Sequence, residues 1–251
     1  MHTISLVNRI SLVTGASGGI GRVIARLLAT AGSSVALVYR SNENEAGEAL
    51  TACGKNAIII KGDLSDPEEC RRVVETVIER YGRIDFLINN AAIDPADSFE
   101  MSYGAWQTQW NVTLNTNLMS AVNMTFCSVP HMRKQGAGKI INIASRSAFR
   151  GETEYMAYAA SKAAMVNFTR CTARALAKDN ILAYAVAPGF IDSGMGVEGI
   201  ARHGDEIRAQ IPSGKIGTAQ DVANVVLFLA SDLSDYLTGS TIDVNGGSYL
   251  H

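Results

Sequence analysis

Short apolar runs rich in β-branched residues alternate along the chain with longer segments of helical character. The runs are continuously apolar, which is typical of strands that are covered by helices on both faces. Seven such runs occur, at residues 9 to 15, 34 to 40, 57 to 63, 84 to 91, 139 to 145, 181 to 189 and 240 to 247. This alternation predicts an α/β fold built on a doubly wound parallel sheet.

The segments between the runs complete the prediction. Helical stretches lie near residues 20 to 31, 43 to 52, 67 to 80, 106 to 134, 155 to 178 and 219 to 230. The third has a clear start signal, because Asp66 can cap the helix and Pro67 suits its first turn. No repeat, low-complexity tract or flexible linker divides the chain. We therefore expect one domain over residues 1–251, with a single Rossmann-like sheet and helices on both faces.

Polar and glycine-rich segments follow several of the predicted strands. They are TGASGGIG after the first strand, NNAA after the fourth, SRS after the fifth and APGFIDSGM after the sixth. In a parallel sheet all of these lie at the carboxyl edge, where such folds bind their ligands. The sequence therefore places a binding site there.

Composition excludes several other classes of protein. Hydrophobic residues make up 47% and charged residues 18% of the chain, which is typical of a globular protein. The net charge of −2 gives no electrostatic reason to expect a nucleic-acid partner. Four widely spaced cysteines and four scattered histidines predict free thiols and no metal site. The chain starts without a secretion signal and has no apolar run of the ~20 residues that span a bilayer, so we expect a cytoplasmic protein with no membrane partner.

The glycine-rich segment from Thr14 to Gly21 joins the first strand to the first helix. Glycines let the backbone approach a pyrophosphate, which the helix N-terminus attracts through its free N–H groups. The spacing is not GxGxxG, and a tight turn without a ligand is the competing interpretation.

The end of the second strand discriminates between dinucleotides. NAD-binding sheets often carry an acid at this position, whereas this chain has Arg40 and Ser41. A guanidinium and a hydroxyl suit the 2′-phosphate of NADP, so NADP(H) is favoured and NAD(H) is possible. Asp63, at the end of the third strand, can accept a hydrogen bond from adenine or cap the following turn.

Tyr158 and Lys162 form a YxxxK pair in a predicted helix, four residues apart on one face. A lysine ammonium beside a phenol lowers its pKa from about 10 and prepares it for proton transfer. An ordinary surface pair is the alternative when the motif is considered alone.

Together these motifs resemble the short-chain dehydrogenase/reductase family over essentially the whole chain. The sequence TGxxxGxG covers Thr14 to Gly21, NNAA resembles the family's NNAG, and a PG segment follows the sixth strand. The resemblance implies four catalytic residues: Asn117, Ser145, Tyr158 and Lys162. It implies cofactor contacts at Gly15, Ser17, Gly19, Ile20, Gly21, Arg40, Ser41, Asp63, Leu64, Asn90, Ala91, Ala92, Tyr158, Lys162, Pro188, Gly189, Ile191 and Ser193. The chain departs from the family pattern at Gly18, where a basic residue is usual, and at Ala92.

The resemblance also implies a mechanism for carbonyl reduction. NADPH would supply a hydride and Tyr158 a proton, while Ser145 would bind the substrate oxygen. Lys162 would bind the nicotinamide ribose and lower the pKa of Tyr158. Asn117 would hold a water that links Lys162 to solvent.

The most similar members of the family in appearance are 3-oxoacyl-[acyl-carrier-protein] reductases, which implies a carrier-bound or small-molecule substrate. A sugar, polyol or other small-alcohol dehydrogenase is the alternative, and a non-catalytic dinucleotide-binding protein is a third. A homotetramer or homodimer is expected, with Ala159, Ala160, Ala163 and Ala164 allowing close helix packing. Arg146 and Arg150 flank the predicted site, where contact with a charged substrate is one interpretation and an ordinary loop charge is the favoured one. A basic patch for the carrier is one interpretation of the cations in this part of the chain, and ordinary solvated charges are the other: Arg133, Lys134, Lys139, Arg170 and Arg174.

Overall fold

Seven parallel strands form one sheet in a computed structural model that describes residues 4–251. The strands are β1 (Ile10–Thr14), β2 (Ser34–Tyr39), β3 (Ile58–Lys61), β4 (Phe86–Asn89), β5 (Gly138–Ile143), β6 (Ile181–Pro188) and β7 (Thr241–Val244). Their order across the sheet is β3-β2-β1-β4-β5-β6-β7. The order reverses between β1 and β4, which pair in parallel with Leu12 opposite Leu87. The predicted doubly wound sheet is confirmed, and its switch point lies between these two strands.

Eight α-helices lie between the strands of the described chain. They are α1 (Gly19–Thr30), α2 (Glu43–Cys53), α3 (Pro67–Tyr81), α4 (Tyr103–Leu114), α5 (Ser120–Gln135), α6 (Met156–Leu176), α7 (Gly196–Ala209) and α8 (Ala219–Ala230). One buried cluster includes Ile24 of α1 and Val226 of α8, and the other includes Val77 of α3 and Met132 of α5. Helices therefore cover both faces of the sheet and bury its strands.

The predicted start of α3 has the expected chemistry. The carboxylate of Asp66 accepts a hydrogen bond from the backbone N–H of Glu68 at 2.9 Å, and Pro67 occupies the first turn. The helix ends at Gly82, whose φ of 77° allows the left-handed conformation that closes many helices.

Two helical regions differ from the prediction. The segment expected as one helix from 106 to 134 begins at Tyr103 and contains a π-helical turn, Asn115–Met119, between α4 and α5. Helix α7 was not predicted, because Gly196, Gly199 and Gly204 lower its helix propensity. Its backbone also departs from helical geometry at His203. Within residues 4–251, no helix has the length and apolar character needed to cross a membrane.

Candidate active site

The loops after β1 and β4 are joined by hydrogen bonds at the switch point. The Thr14 hydroxyl accepts from the backbone N–H groups of Asn90 at 2.9 Å and of Ala91 at 3.0 Å. The Asn90 side chain donates to the carbonyl oxygens of Thr14 at 2.9 Å and Gly15 at 3.1 Å. These bonds fix the shape of the glycine-rich loop, so Asn90 positions that loop with its amide group.

The glycine-rich loop has room only for glycine at its critical points. Gly15 has a φ of 62°, and a Cβ there would lie 2.9 Å from the Cα of Ala91. A Cβ on Gly21 would collide with the carbonyl oxygen of Gly15. Helix α1 starts at Gly19, and Gly18 before it has no side chain to cap the first N–H groups. This cradle therefore fits a pyrophosphate, which those N–H groups would bind.

The loops after β2 and β3 form the outer end of the same cleft. Arg40 and Ser41 are exposed there, beside Asp63. The Ser65 hydroxyl donates to the Asp63 carboxylate at 2.8 Å, and this bond, with Arg40 nearby, lowers the pKa of Asp63 below its ordinary value. Asp63 thus caps its own turn, the alternative left open by the sequence.

Helix α6 places Tyr158 and Lys162 on one face, as the spacing predicts. Lys162 is buried, and its ammonium donates to the carbonyl oxygen of Ile143, the last residue of β5, at 2.7 Å. The same nitrogen lies 5.5 Å from the centroid of the Tyr158 ring. Lys162 is therefore anchored to the carboxyl end of β5, with the Tyr158 ring beside it.

The pKa of Tyr158 differs from the expectation. Burial raises the pKa of Tyr158 to about 12, although the nearby Ser145 hydroxyl acts in the opposite direction. Burial also lowers the pKa of Lys162 to about 8, with the carboxylate of Asp94 opposing that shift. The net direction is therefore opposite to the predicted lowering of the tyrosine pKa, because desolvation of the phenol is the largest effect on it.

Ser145 lies between β5 and a short 3₁₀ turn, Arg146–Ala148. Its hydroxyl accepts from the backbone N–H of Ser147 at 3.1 Å and so caps that turn. The Ser147 hydroxyl in turn donates to the Glu152 carboxylate at 2.9 Å. Ser145 is thus held beside Tyr158 with its hydroxyl on the wall of the cleft.

Asn117 lies in the π-helical turn and is fully buried. Its carboxamide accepts from the backbone N–H of Ile93 at 2.8 Å and donates to the Ile93 carbonyl at 2.8 Å. It also donates to the Ser161 hydroxyl at 3.2 Å. The side chain therefore ties the loop after β4 to helix α6, and it does not line the cleft formed by the other site residues.

Asp97 is a site residue that the sequence analysis missed. Tyr155 precedes the first turn of α6 and supplies no side-chain cap. The buried Asp97 carboxylate accepts instead from the backbone N–H groups of Met156 at 2.6 Å and Ala157 at 2.8 Å. A carboxylate at a helix N-terminus satisfies free donors and the helix dipole, so Asp97 positions the turn that carries Tyr158.

The sequence analysis missed Asp94 in the cleft and did not predict the burial of Arg146. Burial raises the pKa of Asp94, which faces Tyr158 and Lys162 closely enough to influence both. Arg146 was interpreted as an ordinary loop charge, but it is only 5% exposed and its guanidinium lies 3.9 Å from the centroid of the Phe190 ring. The adjacency of Arg146 to Ser145 was the only sequence signal for this position.

The loop after β6 closes the inner end of the cleft. A Cβ on Gly189 would lie 2.8 Å from the Cβ of Asn245, so the backbone passes close to the last strand's loop. Ile191 is buried and pairs with Gly217, and the N–H of Ser193 donates to the Ile191 carbonyl at 2.8 Å.

One cleft of about 1380 Å³ gathers most of the predicted residues. The predicted positions that line it are Gly15, Ser17, Gly19, Ile20, Arg40, Ser41, Asp63, Leu64, Asn90, Ala91, Ala92, Ser145, Tyr158, Lys162, Pro188, Gly189, Ile191 and Ser193. Gly21 and Asn117 do not line the cleft. Gly21 packs against the carbonyl of Gly15, and Asn117 bonds to Ile93 in the loop after β4. Across the described residues, no group of three or more His, Cys, Asp or Glu side chains is arranged to hold a metal ion.

The predicted basic patch is incomplete. Lys139 is buried at the start of β5, where its ammonium bonds to the Asp235 carboxylate at 2.6 Å and to the Ser231 carbonyl at 2.6 Å. Arg133 pairs with Asp179 at 2.7 Å. Both lie toward the amino ends of the strands, away from the cleft in the same chain, so Lys139 is removed from the expected patch.

Comparison with known proteins gives matches over nearly the full length. The model of a family described as enoyl-(acyl carrier protein) reductase matches residues 15–249. A 3-oxoacyl-[acyl-carrier-protein] reductase of Aquifex aeolicus is 38% identical over 250 residues, which covers 98% of this chain and 99% of that protein. The corresponding enzyme of Staphylococcus aureus is 37% identical over 243 residues, with 96% and 98% covered. The crystal structure of levodione reductase has a TM-score of 0.91 at 28% identity, covering 96% of this chain and 98% of that one.

Proposed function

The chain belongs to the short-chain dehydrogenase/reductase family, and we propose that it reduces the 3-oxo group of a carrier-bound acyl chain with NADPH. Family membership makes it an NAD(P)-dependent oxidoreductase. The carrier-bound substrate is proposed from the full-length similarity to 3-oxoacyl-[acyl-carrier-protein] reductases. The observation that carries the proposal is the pair of neighbouring side chains Ser145 and Tyr158 on the wall of a cleft with a dinucleotide cradle.

The cofactor, when bound, supplies the hydride. The cradle around Gly15 and the first turn of α1 would hold its pyrophosphate, and Lys162 is placed to bind the ribose beside the nicotinamide. In this proposal, the hydroxyls of Ser145 and Tyr158 bind the oxygen of the substrate carbonyl and polarise it. Tyr158 then gives its proton to that oxygen as negative charge develops there.

The raised pKa of Tyr158 is consistent with the role of proton donor in reduction. With a pKa of about 12, the phenol keeps its proton at neutral pH and can donate it. Lys162, with a pKa of about 8, remains mostly an ammonium at neutral pH and can neutralise charge near Tyr158.

The preference for NADPH is proposed from the outer end of the cleft. Arg40 and Ser41 lie where the 2′-phosphate of the adenosine ribose would be bound, and a guanidinium binds phosphate through paired, charge-assisted hydrogen bonds. Glu45 opposes this preference. Its carboxylate lies 3.1 Å from the position that a Cβ on Gly18 would take, so it adds negative charge beside the glycine-rich loop. NAD(H) is the alternative cofactor.

A small secondary alcohol or its ketone is the second candidate substrate. Asp94 and Glu152 place carboxylates on the wall of the cleft, and carboxylates accept hydrogen bonds from the hydroxyls of sugars and polyols. The structural similarity to levodione reductase also supports a small-molecule substrate.

A substrate panel separates the two candidates. NADPH oxidation is measured with acetoacetyl-carrier protein, with a crotonyl-carrier protein as the enoyl control, and with a set of sugars and cyclic ketones. The proposal expects turnover of acetoacetyl-carrier protein and none of the crotonyl control. Turnover of sugars or ketones with no turnover of the carrier substrate would replace the first candidate by the second.

We further propose a cytoplasmic homotetramer or homodimer. Helix α6 presents the small side chains of Ala160 and Ala163 to solvent, and Phe126 on α5 is 78% exposed. Apolar side chains on neighbouring helix faces suit contact with a second copy. Light scattering coupled to size-exclusion chromatography measures the assembly directly, and a monomer at micromolar concentration would reject this proposal.

A further inference from the structure

Arg146 is a buried cation that forms no ion pair with any side chain among residues 4–251 for which the structure gives contacts. It is 5% exposed, and its Nη1 atom is buried without a hydrogen-bond partner in the described part of the chain. One face of the guanidinium lies on the Phe190 ring, at 3.9 Å from the centroid. Stacking on an aromatic ring stabilises the cation but leaves the in-plane N–H donors available.

Neighbouring charges do not supply the missing acceptor. Glu152 is the acid whose charge acts on Arg146, but its Oε1 already accepts from the Ser147 hydroxyl at 2.9 Å and lies 3.6 Å from the guanidinium of Arg150. Burial lowers the pKa of Arg146, and the positive charge of Arg150 lowers it further. A buried donor without an acceptor is costly, so an acceptor from a bound molecule would relieve this cost.

The position of Arg146 indicates which part of a bound molecule it meets. Arg146 follows Ser145 directly, on the 3₁₀ turn after β5, and Phe190 follows the Pro188–Gly189 pair after β6. Both side chains line the cleft at its inner end, whereas Arg40 and Asp63 line the outer end. Arg146 therefore lies at the end of the cleft that holds the proposed reacting carbonyl rather than the adenosine.

We propose that Arg146 binds the oxygen of an acyl group that the substrate carries beside its reacting carbonyl. This inference rests on the proposed function and narrows it. The acceptor is a carboxylate in a free 3-oxo acid and a thioester carbonyl in a carrier-bound one. In either form, Arg146 selects oxoacyl substrates and rejects simple ketones and polyols, which would leave the guanidinium unpaired.

The first test compares three substrates of similar shape in the wild type, Arg146→Met and Arg146→Lys. The substrates are acetoacetate, an acetoacetyl thioester and pentan-2-one, which lacks the second oxygen. For Arg146→Met we expect kcat/KM to fall about 10- to 100-fold for the free acid, because a charge-assisted hydrogen bond is lost. The thioester should lose less, and pentan-2-one should change by less than about threefold, the usual scale of a neutral substitution. Arg146→Lys should lie between the two proteins for the free acid.

Arg80→Met, at an exposed position on α3, is the matched control for exchanging arginine for methionine. An equal loss for all three substrates in Arg146→Met would assign a structural role to Arg146 and overturn the inference. Unchanged rates with acetoacetate and the thioester would also overturn it. Failure of the proposed function is distinguished from these results, since the wild type itself would then not reduce acetoacetyl-carrier protein, whatever the variants do.

A binding measurement tests the same inference without turnover of these compounds. Acetoacetate is added to the protein with NADP⁺ bound, and the melting temperature is recorded for the wild type and both variants. We expect acetoacetate to stabilise the wild type and to have no effect on Arg146→Met, while pentan-2-one stabilises neither. Equal stabilisation of the wild type and Arg146→Met by acetoacetate would contradict the inference. If Arg146→Met does not fold, Arg146→Lys and the wild-type contrast between acetoacetate and pentan-2-one decide it.

Discussion

The two ends of the cleft are built in opposite ways. At the inner end Lys162 is buried and bonded to the last residue of β5, and Ser145 caps the turn beside it. At the outer end Arg40 and Ser41 are exposed, and Asp63 bonds only to the neighbouring Ser65. The chemistry therefore depends on side chains fixed by the core, and cofactor preference depends on side chains that solvent surrounds.

This difference has consequences for substitutions. A change at the inner end alters groups whose geometry and pKa are set by burial, so its effect on rate should be large. A change at the outer end alters one exposed contact, so it should change the choice between cofactors and leave the chemical step intact.

Tyr158→Phe should have the largest effect. Removing the proton donor is expected to lower kcat about 10²- to 10⁴-fold, the usual contribution of a positioned general acid. NADPH should still bind, because the cradle at Gly15 is untouched. Steady-state kinetics and fluorescence titration with NADPH measure the two quantities, and a kcat close to that of the wild type would reject the role of Tyr158.

The pH dependence of reduction should report Lys162. Because burial lowers its pKa from 10.5 to about 8, the ammonium loses its proton earlier than an exposed lysine. We expect kcat/KM for reduction to be level below pH 8 and to fall about tenfold per pH unit above it, as expected when one protonated group is required. Tyr158, with a pKa of about 12, does not titrate in this range. A level profile up to pH 10 would show that the charge on Lys162 is not needed.

Arg40→Asp tests the outer end. The change removes a cation and adds an anion beside the proposed 2′-phosphate, so the ratio of kcat/KM for NADPH to that for NADH should fall about 10- to 100-fold. The kcat with saturating cofactor should change little, in contrast to Tyr158→Phe. An unaltered ratio would mean that Arg40 does not determine the cofactor.

Asp97→Ala should lower kcat less than Tyr158→Phe does, because Asp97 acts on Tyr158 only through the first turn of α6. Loss of the cap on Met156 and Ala157 should lower the free energy of unfolding by about 2 kcal/mol, the upper end for a helix N-cap. A displaced first turn should also lower kcat by about tenfold, since general-acid catalysis depends on the position of Tyr158. Asp97→Asn keeps one acceptor and is the matched control. Unchanged unfolding and kcat in Asp97→Ala would show that the cap does not position Tyr158.

Residues at the inner end were predictable where local spacing determines them. Tyr158 and Lys162 share a face because α6 is helical, and the polar loops meet because parallel strands end at one edge. The burial of Arg146 was not predictable, since it depends on Phe190, which lies on another strand's loop. The cap on α6 comes from Asp97, far away in sequence. Helix α7 was not predicted, because its glycines lower its helix propensity. The pKa of Tyr158 depends on burial, which the YxxxK motif does not determine.

The most direct test of the central claim follows the hydride itself. The protein is incubated with acetoacetyl-carrier protein and NADPH that carries deuterium at the transferable position of the nicotinamide, and the product is examined by mass spectrometry. The account predicts a 3-hydroxybutyryl product with one deuterium on C3 from the wild type and almost none of it from Tyr158→Phe. Absence of labelled product from the wild type, or equal labelling by both proteins, would contradict it.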